Sequence, residues 1–296
     1  MSIPASYLGI IIIWSTTPLA IKWSSEGAGF LFGVSARMLV GAAVCGIIMF
    51  LLSRKLPMHR QAWRTYVAAG LGIYGAMTCV YWGAQFIPSG LISVIFGLTP
   101  IVTGVLASVF LNERGLTPTR LFGIVFGIGG LVLIFGNGVQ FNHHTNYGIA
   151  AVLLAMFFHS VSSVWVKSIS AQLAALDVVY GGLLVSAPLY LLTWFVLDGH
   201  WPQQVPMQAV ASIAYLAVFG SVLGFVMFYY VLKHIEVSRV ALVTLVTPVL
   251  ALLLGQTLNH ETIQPNVWFG TGFILLGMSI YQWGPGVIRR LASQES

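Results

Sequence analysis

Residues 81–113 read YWGAQFIPSGLISVIFGLTPIVTGVLASVFLNE, and residues 229–261 read YYVLKHIEVSRVALVTLVTPVLALLLGQTLNHE. Laid on one another, Tyr81-Trp82 falls on Tyr229-Tyr230, Thr99-Pro100 on Thr247-Pro248 and Glu113 on Glu261, each 148 residues later. After a one-residue gap the register continues at 147, with Phe122-Gly123, Phe126 and Gly130 returning as Phe269-Gly270, Phe273 and Gly277. The opening segments match more loosely: Trp14-Ser15 and Lys22 stand against His159-Ser160 and Lys167, 145 apart. Chance can supply one such pair. Ordered matches through three consecutive apolar segments point to a duplication, with one copy over residues 1–140 and the other over 141–296.

Composition says where such segments live. Of 296 residues, 58% are hydrophobic and 7% charged, against roughly a quarter charged in a soluble domain, and the mean hydropathy is +0.91. There is too little polar surface to wrap a water-soluble globule. A helix needs about 20 apolar residues to cross the hydrocarbon layer, and helices or closed barrels alone satisfy their own backbone there. Barrel strands alternate polar and apolar positions. Runs such as Leu91–Leu111 and Val237–Leu258 do not alternate, so an all-α membrane protein is expected.

Polar punctuation divides the chain into ten spans: Ile3–Ile21, Phe30–Leu52, Trp63–Phe86, Gly90–Leu111 and Thr119–Gly136, then Tyr147–Ile169, Leu176–Leu197, Ala209–Leu232, Ser238–Leu258 and Val267–Trp283. With a cytoplasmic N-terminus, 11 of the 13 Lys and Arg residues fall on the inner side, Arg54, Lys55, Arg60, Arg64, Arg114 and Arg120 among them. The positive-inside rule therefore places both termini in the cytoplasm. It also accounts for the isoelectric point near 9.5 without a nucleic-acid partner. Five spans per copy is an odd number, so the second copy enters the bilayer from the opposite side and the halves are inverted repeats. Such symmetry suits alternating access; a receptor or an enzyme has no need of it. The N-terminus lacks the features of a removable signal, and Cys45 and Cys79 read as small packing residues.

Ten spans in two five-helix copies resemble the drug/metabolite transporter superfamily, and specifically its EamA-type members. The residues that carry the likeness are Trp14-Ser15 with Lys22, Ala36-Arg37, Thr99-Pro100, Glu113 and Gly123…Gly130, with Thr247-Pro248, Glu261 and Gly270…Gly277 in the second copy. The resemblance implies a bacterial inner-membrane transporter that exports amino acids or other small metabolites. Its pattern is departed from where His159 replaces the tryptophan of the first copy. A substrate-selective channel and a multidrug efflux carrier are the alternatives.

Candidate substrate contacts follow from polar residues inside spans. Tyr74, Thr78, Tyr81 and Gln85 share one helical face, either lining a cavity or tying helices together, and Trp82 adjoins them. Trp14 and Thr17 in the first span, Thr99 in the fourth and Thr247 in the ninth join them; bonding of the threonines to their own helix is the blander reading. His159, with Ser163 one turn on, is a substrate contact, a proton-linked gate or a hydrogen-bonded neutral ring. Pro100 and Pro248, a symmetric pair inside spans, are hinge candidates. Arg37 can attract a carboxylate, but snorkelling to the outer interface is the favoured reading. Glu113 and Glu261 are expected to cap or pair with adjoining loops.

No acidic residue lies deep in a span, so the obvious proton- or sodium-coupling group is missing. The glycines of the fifth and tenth spans suit close helix packing, with a homodimer contact as the sharper alternative. His143 and His144 have no cysteine or carboxylate beside them and read as a solvated loop rather than a metal site. No phosphate loop, nucleophile elbow or metalloprotease motif occurs, so neither catalysis nor a cofactor is expected. The partners read from the chain are a small-molecule substrate and the lipid bilayer.

Overall fold

The computed structural model describes residues 2–113, 117–136, 143–241 and 243–292, and among them every regular element is helical. Arg114, Glu295 and the 140/141 boundary between copies lie outside the described residues. The order is α1 (Ile3–Ser25), α2 (Phe30–Leu51), α3 (Arg60–Gly83), α4 (Ser89–Phe96), α5 (Thr99–Phe110), α6 (Pro118–Gly136) and α7 (His143–Ile169). Then come α8 (Ala175–Leu197), α9 (Met207–Tyr215), a π-helical segment (Leu216–Leu223), α10 (Gly224–His234), α11 (Val237–Val240), α12 (Val243–Leu258) and α13 (Pro265–Ala292).

Six stretches are long and apolar enough to cross a membrane: Ile3–Ser25, Phe30–Leu51, Ser89–Phe110, His144–Ile169, Ala175–Leu197 and Met207–His234. Pro118–Ile134 and Val246–Leu258 are shorter apolar helices. α3 is not among the six: its first turns carry Arg60, Gln61 and Arg64, and its body is diluted by Tyr, Thr and Gly. The outer surface is apolar, with Phe50, Phe195 and Phe269 each more than two-thirds exposed. Large apolar side chains fully exposed around a helical body fit hydrocarbon, not water. The chain is a multi-pass membrane protein.

Packing is dominated by contacts between α1–α6 and the elements from α7 onward. α3 packs on α7 and α8, α2 on α8 and the π-helical segment, α1 on α9, α10 and α12, α5 on α7, and α6 on α13. The last pair is the tightest in backbone approach. A Cβ added at Gly123 would lie 2.5 Å from the Gly277 carbonyl oxygen, and one at Gly130 would lie 2.6 Å from that of Gly270. Only glycine allows two backbones this close. The Gly123, Gly130, Gly270 and Gly277 faces of α6 and α13 thus pack on one another within one chain.

Breaks in the helices set the shape of the centre. α4 ends at Phe96 and α5 begins at Thr99, so Pro100 sits in the first turn of a new helix and not inside an old one. That position tolerates proline, because the missing N–H would be unbonded anyway. Pro248 lies inside α12. The symmetric pair therefore occupies two different settings. The π-helical segment is a further irregularity, one that no sequence pattern announced.

Candidate functional site

Two carboxylates organise the ends of the broken helices. Glu261, after α12, accepts hydrogen bonds from Ser89 N and Ser89 Oγ, both at 3.0 Å, at the start of α4. Glu113, after α5, accepts from Val237 N at 3.0 Å and Ser238 Oγ at 2.8 Å at the start of α11. Each helix pair therefore ends on a carboxylate that binds the first turn of the other. A lysine accompanies each. Lys22 Nζ lies 3.6 Å from Glu261 and donates to Ile87 O at 3.4 Å. Lys167 Nζ donates to Ile235 O at 2.9 Å and Leu232 O at 2.7 Å. Pairing with the adjoining loop is seen at Glu261, which also accepts from Asn259 Nδ2 at 2.9 Å, while the caps of both glutamates cross between the halves of the sequence.

Between these two ends lies a cavity lined from α1, α2, α3, α4, α7, α10 and α12. About 80 Å³ of it admits the centre of a water-sized sphere, room for a few waters or a ligand of several heavy atoms. Trp14, Thr17, His159 and Thr247 line it, as their sequence positions suggested. His159 sits in an aromatic box, with ring centroids 5.6 Å from Trp14, 5.2 Å from Phe228 and 6.2 Å from Phe96. The Thr17 hydroxyl is spent on its own helix, donating to Ile13 O at 2.7 Å. Ser163 does the same to His159 O at 2.7 Å and borders smaller spaces beside the cavity.

The polar stripe of α3 is not brought to this cavity. Tyr74 shares a 2.6 Å hydrogen bond with Thr193 of α8, and Thr78 faces Tyr190. Gln85 bonds back to Trp82 O at 3.2 Å. Trp82 is exposed and packs on Phe86 and Tyr147. The physical reason is that α3 is wedged against α7 and α8, so the Tyr74 and Thr78 hydroxyls serve the α8 seam, that of Tyr81 accepts from Ser24 of α1 at 3.4 Å, and Met77 and Val80 line the cavity. Tyr81 is fully buried and touches the site only from behind, under the Arg37 guanidinium at 6.0 Å. Thr99 is buried one layer away, beside Trp14 and His159 in an adjoining space.

Arg37 is the correction with most consequence. Snorkelling would leave it at an interface, yet it is 1% exposed and lines the cavity. Its Nε donates to Ser221 Oγ at 2.9 Å, on the π-helical segment. Gly220 beside it leaves room, since an added Cβ would lie 2.8 Å from Nη2. Nη1 is buried with no hydrogen-bond partner. Ser221 and Gly220 escaped the sequence reading, because a serine and a glycine in an apolar run signal packing as readily as a binding site.

A helical membrane body with a buried cavity and broken helices is a transporter's architecture, and comparison with known proteins decides its kind. The EamA-like transporter family matches the chain twice, over residues 5–136 and 146–282. The chain belongs to the EamA-like transporter family. Among the relatives of this EamA-like transporter is the uncharacterized transporter YoaV of Bacillus subtilis, 28% identical over 92% of this chain and 94% of its own. A probable terminal-alkyne amino-acid exporter of Streptantibioticus cattleyicolor is 23% identical over 91% and 90%. The uncharacterized inner membrane transporter YedA of Escherichia coli K12 is 23% identical over 93% and 89%. A crystal structure of a protein 21% identical over 98% of each chain superposes with a TM-score of 0.73, a likeness of fold.

Proposed function

We propose that this EamA-like transporter is an inner-membrane secondary carrier that exports amino acids or other small metabolites by alternating access. The observation that carries the proposal is the central cavity, apolar for the most part, with Arg37, Thr17, Ser93, Thr244, Thr247 and His159 reaching it and the rings of Trp14, Phe96 and Phe225 in its wall. Transporter sites of this kind lie at the interface of inverted repeats, beside discontinuous helices. Three findings support two inverted five-helix halves, 1–140 and 141–296. The family matches twice, with a short gap at 137–145. The caps at Glu113 and Glu261 are reciprocal. Contacts come in exchanged pairs: α3 with α7 answers α1 with α9 and α10, and α5 with α7 answers α1 with α12.

With both termini cytoplasmic, Glu261 and Lys22 belong to the outer end of the carrier and Glu113 and Lys167 to the inner end. Export of an amino acid by a relative and the buried arginine support a carboxylate-bearing substrate. Purified protein in proteoliposomes, offered labelled amino acids and related acids with and without a pH gradient, should show saturable counterflow. Flux that rises linearly with concentration for every compound would make it a channel.

A further inference from the structure

The partners of the acidic groups among the described residues narrow the substrate class, an inference that rests on the transport reading above. Glu113 and Glu261 hold helix starts. Asp177 is paired with Arg54 at 3.2 Å, Asp198 lies 3.5 Å from His200, and Glu236 is bonded to Arg239 at 2.9 Å. Glu26 is exposed beyond the end of α1. Among the described residues, none lines the cavity. Among the described residues, Arg37 is the one permanent charge that lines the cavity, buried, with Nη1 unbonded and no carboxylate in ion-pair reach. His159 brings a neutral or a positive ring, never a negative one.

A buried guanidinium without a counter-ion calls for an anion, because a charge out of water is tolerated only when paired. Arg is also the side chain whose fork matches a carboxylate. The converse holds for a cation. A substrate ammonium finds no carboxylate in this cavity, only ring faces and the Ser93 and Thr247 hydroxyls, since those of Thr17 and Thr244 already donate to their own helices. We infer that the cavity takes a small monocarboxylate with an apolar body and no cationic group, its carboxylate on Arg37 and its apolar end against Trp14 and Phe225. An organic-acid anion is preferred to the zwitterionic amino acid of the same skeleton. The membrane potential itself drives such an anion out of a cell whose interior is negative.

The matched series α-ketoisocaproate, leucine and isocaproamide tests this at pH 7 on the full-length protein in detergent. Equilibrium binding of labelled α-ketoisocaproate is expected at least ~10-fold tighter than that of leucine, with the amide failing to compete. Arg37→Gln should weaken the keto acid by at least ~30-fold, as expected when one partner of a buried charge pair is removed, and Arg37→Lys should restore part of it. Leucine binding as tightly as the keto acid, or keto-acid affinity unchanged in a folded Arg37→Gln protein, overturns the inference. The wild-type series decides alone if the variant does not fold. Counterflow in proteoliposomes separates this from the transport reading. Keto-acid binding without flux of any compound leaves the anion site standing and removes the carrier; leucine flux without keto-acid preference does the reverse.

Discussion

Ser221 Oγ accepts from Arg37 Nε at 2.9 Å in a setting that is buried on both sides. Ser221→Ala would leave that donor unbonded, at a cost of about 1–3 kcal/mol, read as a lower unfolding midpoint in detergent. Gly220→Ala acts differently. Its methyl group would approach Nη2 to 2.8 Å and push the guanidinium off its place, so transport should fall while the folded yield stays near wild type. Unaltered transport by the alanine variant would show that Arg37 has freedom the structure does not display. At this scale the sequence shows which residues are unusual and not what they touch. Trp14, Thr17, His159 and Thr247 were legible because a polar or aromatic residue in an apolar run has few uses. Arg37 stood out as a charge but its direction did not, since that is set by a π-helical turn across the interface. Such turns leave an extra residue in the helical ladder and gather at functional positions, yet LAVFGSVL has no feature that distinguishes it from an ordinary helix.

The helices show the same contrast between what periodicity reveals and what packing decides. Tyr74, Thr78, Tyr81 and Gln85 are spaced to share one face, but Tyr74 and Thr78 meet α8, Tyr81 meets Ser24 and Arg37, and Gln85 lies past the end of α3. Amphipathic spacing identifies a seam without saying whether the seam holds protein or substrate. The glycine pattern was more informative. It predicted close approach, and α6 and α13 supply it within one chain. Gly130→Leu should therefore abolish monodisperse folded protein, because its side chain would strike the Gly270 carbonyl oxygen and Ile274. Phe122→Leu, on the exposed face of α6, should leave size-exclusion profile and yield unchanged. Equal yields from the two would mean that the α6–α13 contact is dispensable.

For the molecule as a whole, a recurrence at offsets of 148, 147 and 145 is legible in the sequence, whereas the contacts between its two segments are not. No pattern in the sequence says that Glu113 caps the second copy and Glu261 the first. Glu261→Gln and Glu113→Gln should each lower stability by about 0.5–2 kcal/mol, the range of a lost helix cap. Their effects should add in the double variant, since the sites share no partner. Residues 1–140 and 141–296, made as separate chains, should restore counterflow only when produced together, and activity from either alone would refute the two-half carrier. A cytoplasmic reporter at the C-terminus should be active if both ends are inside. The crossed caps also impose a schedule on biosynthesis. Glu261 follows Ser89 by 172 residues, roughly 10–35 s of ribosome time at about 5–20 residues per second. Throughout that interval the start of α4 waits in the membrane with its amides unmet, so the first half must be held by lipid, water or the insertion machinery until the last spans arrive.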